Sequence, residues 1–598
     1  MPEPHSHLFH VEAELDRPGD EPVLAMPVWT PGSYLVREFA RHVEGLAATD
    51  DAGTRLEVER LDKARWRVLA RGAARVRLSY RVYANDLTVR TSHLDGTHGY
   101  FNGANLFMCA EGRAGEAQTL EVIAPAGWRV ATALEGEERR GPFGGGEDGG
   151  GGTWTFRARD FDELVDSPVE VGTHAVWRFE AAGKPHAIAV WGRAAGGIDA
   201  ERFTADVKRI VESEAALMGG LPYPRYLFIV HVSDKRRGGL EHATSTTLSV
   251  GRNAFSGKDP YEETLALVAH EFFHVWNVKG LRPAALVPYD YGREQYTRLL
   301  WWFEGVTSYY DTLTLARCGL VDGRRYLRHV GEALTALERT PGARKTSAEE
   351  SSFTAWVKLY RADENTPNST VSYYLKGELV ALALDLRLRA AGRSLDDLLR
   401  TLWERHASSG GVPEDGVERA VADVLGPETA RAFFDRYVRG TGDVELSLES
   451  VGVRSMRRAM QGFDDKGGTP PRSNGQQRSN GQQKAPGWLG AQLGGGPKLT
   501  VASVREGSPA WRAGLYAEDE IVAEDGFRVD KGALWDRLQE RGPGAALKLT
   551  VFRRDELVTV PVTLGEPPQD TVWIEPDPGA TPEQRAAFTA WCGAPFPA

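Results

Sequence analysis

Two histidines four residues apart stand in the run Val268-Ala-His-Glu-Phe-Phe-His-Val-Trp-Asn277. Residues at this spacing lie on one face of a helix, one turn apart, so the imidazoles of His270 and His274 can bind the same metal ion. Two nitrogen ligands so arranged suit a tetrahedral Zn²⁺ site. Glu271, next to the first histidine, can reach a water molecule at the metal and act as general base. The spacing therefore predicts a catalytic zinc site.

A carboxylate is expected as the third ligand. Glu304 lies in the middle of the apolar, aromatic run Arg298-Leu-Leu-Trp-Trp-Phe-Glu-Gly-Val-Thr-Ser-Tyr-Tyr310, which has the character of a buried helix. A buried carboxylate is costly unless it is paired or bound to a metal. Two histidines and one glutamate leave the fourth zinc position open for water, as in catalytic rather than structural sites. A chance match of the five-residue motif is the alternative.

Length and composition limit the classes of protein that this chain can belong to. With 598 residues it is too long for one core, and about three to five domains are expected. The net charge of −11 comes without a basic stripe, so nucleic acid is not an expected partner. The N-terminus has no basic region followed by an apolar core, and no uncharged apolar run could span a bilayer. We therefore expect a cytoplasmic location without membrane association.

The pattern along the chain predicts a multidomain α+β protein. Short alternating strands in residues 1–165 predict an N-terminal β-sandwich. Residues 166–320 combine strands and a helix over Ala200–Met218 with the His270 helix, which is the plan of a thermolysin-like catalytic domain. Residues 321–461 are mostly helical, with an apolar stripe that indicates core packing, and form a helical companion.

The remaining segments are predicted from their composition. Residues 462–486 contain Arg-Ser-Asn-Gly-Gln-Gln twice in tandem and almost no apolar residues, which predicts a flexible linker. A compact β-rich unit follows in residues 487–565, and residues 566–598 read as a Pro-rich extension with a short helix. The glycine-rich stretch 141–152 predicts a flexible hairpin tip, because it lacks the Lys-Ser/Thr ending of a phosphate loop.

Three motifs together resemble the glycyl aminopeptidase family of gluzincin metallopeptidases, many of which carry a C-terminal PDZ domain. They are His270-Glu-Phe-Phe-His-Val-Trp-Asn-Val-Lys279, Trp302-Phe-Glu-Gly-Val-Thr-Ser-Tyr-Tyr310 and Trp29-Thr-Pro-Gly-Ser-Tyr34. The resemblance covers nearly the whole chain apart from the linker and the final tail. It implies that the zinc ligands are the two histidines of the first motif and Glu304, with Glu271 as general base.

A further motif is similar to the Gly-x-Met-Glu-Asn exopeptidase motif of the wider group that includes aminopeptidase N. In Gly238-Gly-Leu-Glu-His242 the Met and Asn are replaced by Leu and His. The resemblance implies that Gly238, Gly239 and Glu241 bind the substrate, with the glutamate holding its free α-amine. A carboxylate at the cleft edge would pair with an ammonium and fix where the peptide begins. A surface glutamate beside two arginines in a turn is the alternative.

Tyr373-Tyr374-Leu-Lys-Gly377 resembles the Tyr-x-Lys-Gly stretch that supplies a transition-state tyrosine in the same group, and the register matches Tyr374. A phenol aimed at the developing oxyanion stabilises charge that appears only during attack. Tyr373, Tyr309 and Tyr310 stay open as alternatives for this donor.

The β-rich unit of residues 487–565 resembles a PDZ domain. Gly487-Trp-Leu-Gly490 stands where the carboxylate-binding loop would be, and Ser508-Pro-Ala-Trp-Arg-Ala-Gly-Leu515 is similar to a segment of protease-associated PDZ domains. Backbone N–H groups of such a loop can capture a peptide C-terminus while the peptide adds as a strand. Whether this unit binds a peptide C-terminus or only packs on the enzyme stays open.

The expected function is that of a zinc-dependent aminopeptidase acting on peptides with a free N-terminus. A preference for small first residues, Gly or Ala, is implied by the resemblance alone. Two alternatives stay open: a zinc endopeptidase whose substrates are recruited by the PDZ domain, and a non-catalytic PDZ scaffold with a vestigial metal site. The oligomeric state cannot be inferred from the sequence.

Overall fold

The computed structural model divides the chain into two compact units. The first unit contains Met1–Thr297 and Leu398–Val417, and the second contains Arg298–Asp397 and Glu418–Ala598. The glycine-rich tip, up to residue 151, and the tandem repeats of the predicted linker lie outside the described residues. The structure describes residues 1–137, 152–192, 197–234, 237–471 and 486–597.

Short strands and two short helices make up the beginning of the first unit. Along the strand over 75–83, buried and exposed residues alternate, as expected where one face of a sheet packs on a core. In order they are β1 Leu8–Asp16, β2 Val23–Ala25, β3 Val43–Asp50, β4 Arg55–Leu56, β5 Val58–Arg60, β6 Arg65–Val68, β7 Arg75–Tyr83, β8 His93–Leu94, β9 His98–Phe101, α1 Gly103–Leu106, β10 Cys109–Ala110, β11 Gln118–Ile123, β12 Arg129–Thr132, β13 Glu135–Glu137, β14 Thr153–Ala158, α2 Phe161–Val165 and β15 Val169–Gly172.

These strands pair, within the described residues, in small antiparallel sheets. Their orders are β1-β7-β3-β4, β10-β2-β6-β5, β11-β14-β13 and β12-β15-β9-β8. The longest pairing joins β1 and β7 from Leu8↔Tyr83 to Asp16↔Arg75. The expected N-terminal β-sheet domain is thereby confirmed, while its finer description as a sandwich stays a prediction.

A mixed five-stranded sheet with two long helices follows in the first unit. It has the order β16-β17-β18-β20-β19, with β17, β18 and β20 parallel and the two edge strands antiparallel. The central strands are buried along almost their whole length, as expected for parallel strands. The helix expected over Ala200–Met218 has those bounds. The elements are β16 Ala175–Ala181, β17 Lys184–Trp191, α3 Ala200–Met218, β18 Tyr226–Ser233, β19 Gly238–Glu241, β20 Ser245–Gly251 and α4 Lys258–Phe273.

Helices dominate the following part of the chain. The predicted apolar stripe falls on α10, whose residues from Gly377 to Leu386 are all buried. The predicted run 298–310 contains two helices rather than one, with Glu304 between them. The helices are α5 Leu300–Phe303, α6 Gly305–Arg317, α7 Gly323–Glu338, α8 Ala348–Phe353, α9 Thr366–Ser369, α10 Tyr373–Ala390, α11 Leu395–His406, α12 Gly416–Leu425 and α13 Pro427–Tyr437.

The C-terminal part of the second unit is β-rich with its own apolar core. Buried residues from Leu489 to Leu564 form one cluster. Pairing within the described residues gives β22-β23, β25-β24-β26-β27 and, beside them, β21-β28. The elements are β21 Val453–Arg458, β22 Ala491–Leu493, β23 Val501–Val504, α14 Pro509–Ala513, β24 Glu520–Glu524, β25 Phe527–Arg528, α15 Lys531–Arg541, β26 Ala546–Arg553, β27 Glu556–Thr563, β28 Thr571–Pro576 and α16 Pro582–Cys592.

The last residues of the chain are built into the core of the second unit. Strand β28 pairs with β21 along six residue pairs, from Val453↔Pro576 to Arg458↔Thr571. The short helix expected here is α16, and its Trp591 is fully buried. The indole Nε1–H of Trp591 donates to the Tyr309 hydroxyl at 2.8 Å, and that hydroxyl donates to Asp385 at 2.6 Å. The sequence predicted an extension here, without its packing on α6.

None of the helices that the structure describes is long and apolar enough to cross a membrane.

Truncation of the Trp591 side chain is expected to destabilise the second unit. Trp591→Ala removes a fully buried indole and leaves the Tyr309 hydroxyl without its donor, which together should cost about 3–5 kcal/mol in the free energy of unfolding. Denaturant unfolding followed by circular dichroism measures this cost. Trp511→Ala is the control, because Trp511 is 55% exposed and should change stability by less than about 0.5 kcal/mol. Equal stability of the two variants would contradict the role of α16.

Candidate active site

The predicted zinc motif lies at the C-terminal end of α4. His270 is in the last turn of this helix, and His274 is the residue that caps it. The two ring centroids are 4.9 Å apart with the ring planes at 85°. The helix begins at Lys258. Both imidazoles are therefore on one helical face, as the spacing predicted.

The imidazole of His274 is oriented by a hydrogen bond to the backbone. Its Nδ1 lies 2.8 Å from the carbonyl oxygen of Asn277. A carbonyl oxygen only accepts, so Nδ1 carries the proton and Nε2 keeps its lone pair for a metal ion. A donor bond from the second ring nitrogen is the usual support of a metal-binding histidine. The donor set on α4 thus fits a zinc ion.

The edge strand β19 runs against the carboxylate of Glu271. Ligand atoms of Glu241, Glu271 and His274 lie within 4.8 Å of one another, and all three residues are buried. A Cβ atom added to Gly239 would lie 2.1 Å from Oε1 of Glu271, so only glycine lets the strand approach this carboxylate. At Gly238, in contrast, the nearest atom to an added Cβ is an Arg90 nitrogen at 3.6 Å. Of the two glycines, Gly239 is the one in contact with Glu271.

Glu241 is enclosed by the loop that carries the N-terminal motif. Gly32, in Trp29-Thr-Pro-Gly-Ser-Tyr34, has a φ of +82°, and a Cβ added there would lie 2.5 Å from Oε1 of Glu241. Glu241 itself is only 4% exposed, which contradicts the alternative of a surface glutamate in a turn. The motifs Trp29–Tyr34 and Gly238–His242 are identified by resemblance alone, and nothing in their sequences indicates that they contact each other.

A buried ion pair that the sequence did not reveal supports the end of β19. Asp166 accepts hydrogen bonds from Nζ of Lys279 at 2.6 Å and from Nδ1 of His242 at 3.1 Å. Burial alone would raise the pKa of Asp166, but the Lys279 charge and the His242 hydrogen bond hold it well below its usual range. Burial likewise opposes the charge on Lys279, yet Asp166 and, more weakly, Glu241 raise its pKa. The histidine that replaces the motif's asparagine thus anchors the strand.

Glu304 and Tyr374 come together within the second unit. Glu304, 2% exposed, lies between α5 and α6. A Cβ added to Gly305 would lie 2.4 Å from Cα of Gly377, so paired glycines let α6 and α10 cross closely. Burial first, and then the Glu304 charge, raise the pKa of Tyr374 well above its ordinary value. The phenol is thereby kept protonated, as a hydrogen-bond donor must be.

The alternative tyrosines have other contacts. The hydroxyl of Tyr309 donates to Asp385 at 2.6 Å, and the hydroxyl of Tyr310 donates to Asp396. Tyr373 is fully buried and stacks on Tyr374, with ring centroids 4.7 Å apart and planes at 24°. Tyr374 is partly exposed and is the one of the four that the structure leaves accessible from outside the helical core.

A second group of potential ligands is formed by His98, Glu170 and His231. One oxygen of Glu170 lies 2.9 Å from Nδ1 of His98, and the other lies 2.9 Å from Nε2 of His231. The remaining nitrogen of His98 is 3.0 Å from Nδ1 of His93. Burial alone would raise the pKa of Glu170, but the two imidazoles hold it far below its usual range. This hydrogen-bonded chain satisfies the carboxylate without a metal ion.

Comparison with known proteins gives consistent results. The Peptidase M61 N-terminal domain matches residues 1–173, and the M61 glycyl aminopeptidase family matches residues 263–380. The crystal structure of an aminopeptidase N family protein from Idiomarina loihiensis is 34% identical, with coverage of 99% of this chain and 98% of that chain and a TM-score of 0.89. No curated protein matches significantly.

A more distant likeness is to an M1 zinc metallopeptidase from Deinococcus radiodurans. It is 17% identical, with coverage of 72% of this chain and 90% of that chain and a TM-score of 0.43. A mutant of the same protein, bound to a Tyr-Ser-Ala substrate, gives the same values.

Metal content is expected to depend on the α4 histidines and not on the His98 group. His274→Ala should reduce bound zinc from roughly one ion per chain to a small fraction, because a nitrogen ligand is lost. His231→Ala is the matched control and should keep the full metal content. Inductively coupled plasma mass spectrometry on gel-filtered protein measures both. Two ions per wild-type chain, with one lost in His231→Ala, would contradict the assignment.

Proposed function

Because the chain belongs to the M61 glycyl aminopeptidase family, we propose that it removes residues one at a time from peptide N-termini at the site around His270, Glu271 and His274. Family membership confirms that the protein is a peptidase hydrolase with a Zn²⁺ cofactor and, in general terms, an aminopeptidase. The exopeptidase mechanism is supported chiefly by Glu241, which is buried and has a carboxylate oxygen within 4.8 Å of a Glu271 oxygen.

We propose His270, His274 and Glu304 as the residues that hold zinc. The orientation of His274 by Asn277 and the burial of Glu304 support this choice, since a buried carboxylate needs a cation. When bound, zinc supplies Lewis-acid chemistry: it polarises the scissile carbonyl and lowers the pKa of water. The two histidines and the glutamate leave one coordination position open for this purpose.

Glu271 is the general base of the proposed mechanism. Its carboxylate takes a proton from the attacking water and later delivers it to the leaving amine. The close passage of the β19 backbone at Gly239 holds this carboxylate in place. A side chain at Gly239 would displace it, so this chain requires glycine at a position that is variable in the motif.

Glu241 holds the α-ammonium of the substrate. A buried carboxylate pairs strongly with an ammonium group, and this pairing fixes the distance from the N-terminus to the bond that is cut. Only the first peptide bond then reaches Glu271. A preference for small first residues such as Gly or Ala is supported only by the description of the family as glycyl aminopeptidases.

Tyr374 donates a hydrogen bond to the carbonyl oxygen as negative charge develops on it. Donors aimed at a developing oxyanion typically contribute about 10²–10³ in kcat. The raised pKa of this phenol and its position near Glu304 support the role.

We also propose that residues 487–565 form a PDZ domain. Support comes from the loop Gly487–Gly490, which precedes strand β22, and from helix α15 in the same compact unit. In Gly490, with a φ of +77°, an added Cβ would lie 2.2 Å from the Ser508 side chain, so the loop requires glycine.

Blocking the peptide α-amine is expected to abolish cleavage. Wild-type enzyme should hydrolyse a free peptide and leave its N-acetylated form intact, because Glu241 pairs only with an ammonium. Glu241→Gln should lower kcat/KM for the free peptide by about 30-fold or more while zinc content stays unchanged. Steady-state kinetics with a metal assay measure this. Equal cleavage of acetylated peptide would show an endopeptidase and contradict the role of Glu241.

Crowding at Gly32 is expected to disturb Glu241 specifically. In Gly32→Ala the new methyl group would overlap the Glu241 carboxylate, so kcat/KM should fall by about 10². Gly19→Ala is the matched control, since Gly19 has a similar φ of +74° and no atom within 4 Å of an added Cβ. Similar activity of the two variants would show that the loop does not position Glu241.

A further inference from the structure

A loop of the second unit lies in the groove between strand β22 and helix α15. This loop, Met460–Asp465, precedes the tandem repeats in the sequence. The ring of its Phe463 meets Trp535 of α15 edge to face, with centroids 5.3 Å apart and planes at 73°. Phe463 also packs against the apolar core of residues 487–565. Together with Met460 it closes the groove to a cavity of about 20 Å³, which is room for roughly one water molecule.

The shape of the 460–465 loop is fixed by its own hydrogen bonds. The Asp465 carboxylate accepts from the backbone N–H of Gln461 at 2.7 Å and of Gly467 at 3.0 Å, and it pairs with the Arg458 guanidinium. Burial alone would raise the pKa of Asp465, but these donors hold it below its usual range. Asp464, beside the phenylalanine, pairs with Lys531 at the start of α15. Phe463 is thus presented to the groove by an ordered turn.

The groove has the groups that recognise a peptide C-terminus. Among the described residues, the successive backbone N–H groups of Leu489 and Gly490 have no hydrogen-bond partner. Such a pair of N–H groups can bind a carboxylate. Strand β22 pairs only with β23 in the described part of the chain, so its other edge can accept an added strand. Trp535 and Leu538 of α15 supply the apolar wall.

We propose that Phe463 occupies this groove in cis, in the place of the terminal side chain of a peptide ligand. The ligands that the groove fits are peptides with a free C-terminal carboxylate and a large apolar last residue. They bind only when the 460–465 loop leaves. The docking site is therefore closed by its own chain. This property rests on the proposed PDZ domain and is independent of the proposed peptidase activity.

The 460–465 loop and an external peptide compete for the same groove, so the occupancy of the groove by the loop sets the apparent affinity for the peptide. If the loop occupies the groove in nine of ten molecules, the apparent affinity for an external peptide is tenfold weaker than that of an open groove. Removal of the phenyl ring should restore the affinity of the open groove. Removal of the peptide's carboxylate charge should weaken binding to that open groove, because the N–H groups of Leu489 and Gly490 then face a neutral amide instead of a charged carboxylate.

Fluorescence anisotropy with the full-length chain tests the proposal. The probe is a Gly/Ser peptide ending in Phe with a free carboxylate, whose N-terminus carries fluorescein and so cannot be trimmed. Phe463→Ala should bind it at least about tenfold more tightly than wild type. Leu557→Ala is the control, because Leu557 is an apolar side chain of the same unit, 60% exposed on β27, and it should bind like wild type. The C-terminally amidated probe should bind Phe463→Ala at least about tenfold more weakly than the free acid, because hydrogen bonds to a charged group are lost.

A second variant covers the case in which Phe463→Ala does not fold. Asp464→Asn removes the ion pair with Lys531 and keeps the phenyl ring, and its carboxylate is 83% exposed, so folding should be unaffected. It should bind the probe several-fold more tightly than wild type. Equal affinity of wild type and folded Phe463→Ala overturns the closure. Absence of binding to every folded variant, or equal binding of the amidated probe, overturns the groove as a C-terminus site.

Discussion

Two buried carboxylates next to each other are the constraint on which the active site depends. Glu241 and Glu271 share a space with His274 in which their ligand atoms lie within 4.8 Å of one another. Like charges this close repel, and burial removes the water that would otherwise screen them. The arrangement is therefore favourable only with cations nearby. Lys279 is one of them, and a zinc ion and the substrate's ammonium group are the others that we propose.

The backbone around this pair is shaped by close approaches that only glycine permits. Gly239 brings β19 against Glu271, and Gly32 brings the N-terminal loop against Glu241. Main chain packs closely against both carboxylates and limits where they can move, which favours the preorganised geometry that the proposed roles of Glu271 and Glu241 require. Asp166, through Lys279 and His242, then anchors the end of β19.

Local chemistry could be predicted from the sequence, and long-range packing could not. The α4 histidines, Glu271 and the helix over Ala200–Met218 follow from spacing and periodicity within short stretches. The Lys279–Asp166 pair joins residues 113 positions apart, and the Trp591–Tyr309 bond joins residues 282 positions apart, without any local pattern. For the same reason, the composition of residues 462–486 predicted a linker, although Phe463 packs on Trp535. The register of the tyrosine motif predicts Tyr374, whereas its place beside Glu304 depends on the Gly305–Gly377 crossing, which no local pattern indicates.

Time-resolved mass spectrometry of the products from one long peptide shows at which bond cleavage begins. If Glu241 fixes the peptide N-terminus at the zinc site, the substrate should shorten by single residues from that end, and the free first amino acid should appear in step with the first shortened peptide. Internal fragments among the earliest products, with the first residue still attached to its neighbours, would show that Glu241 does not fix the peptide N-terminus.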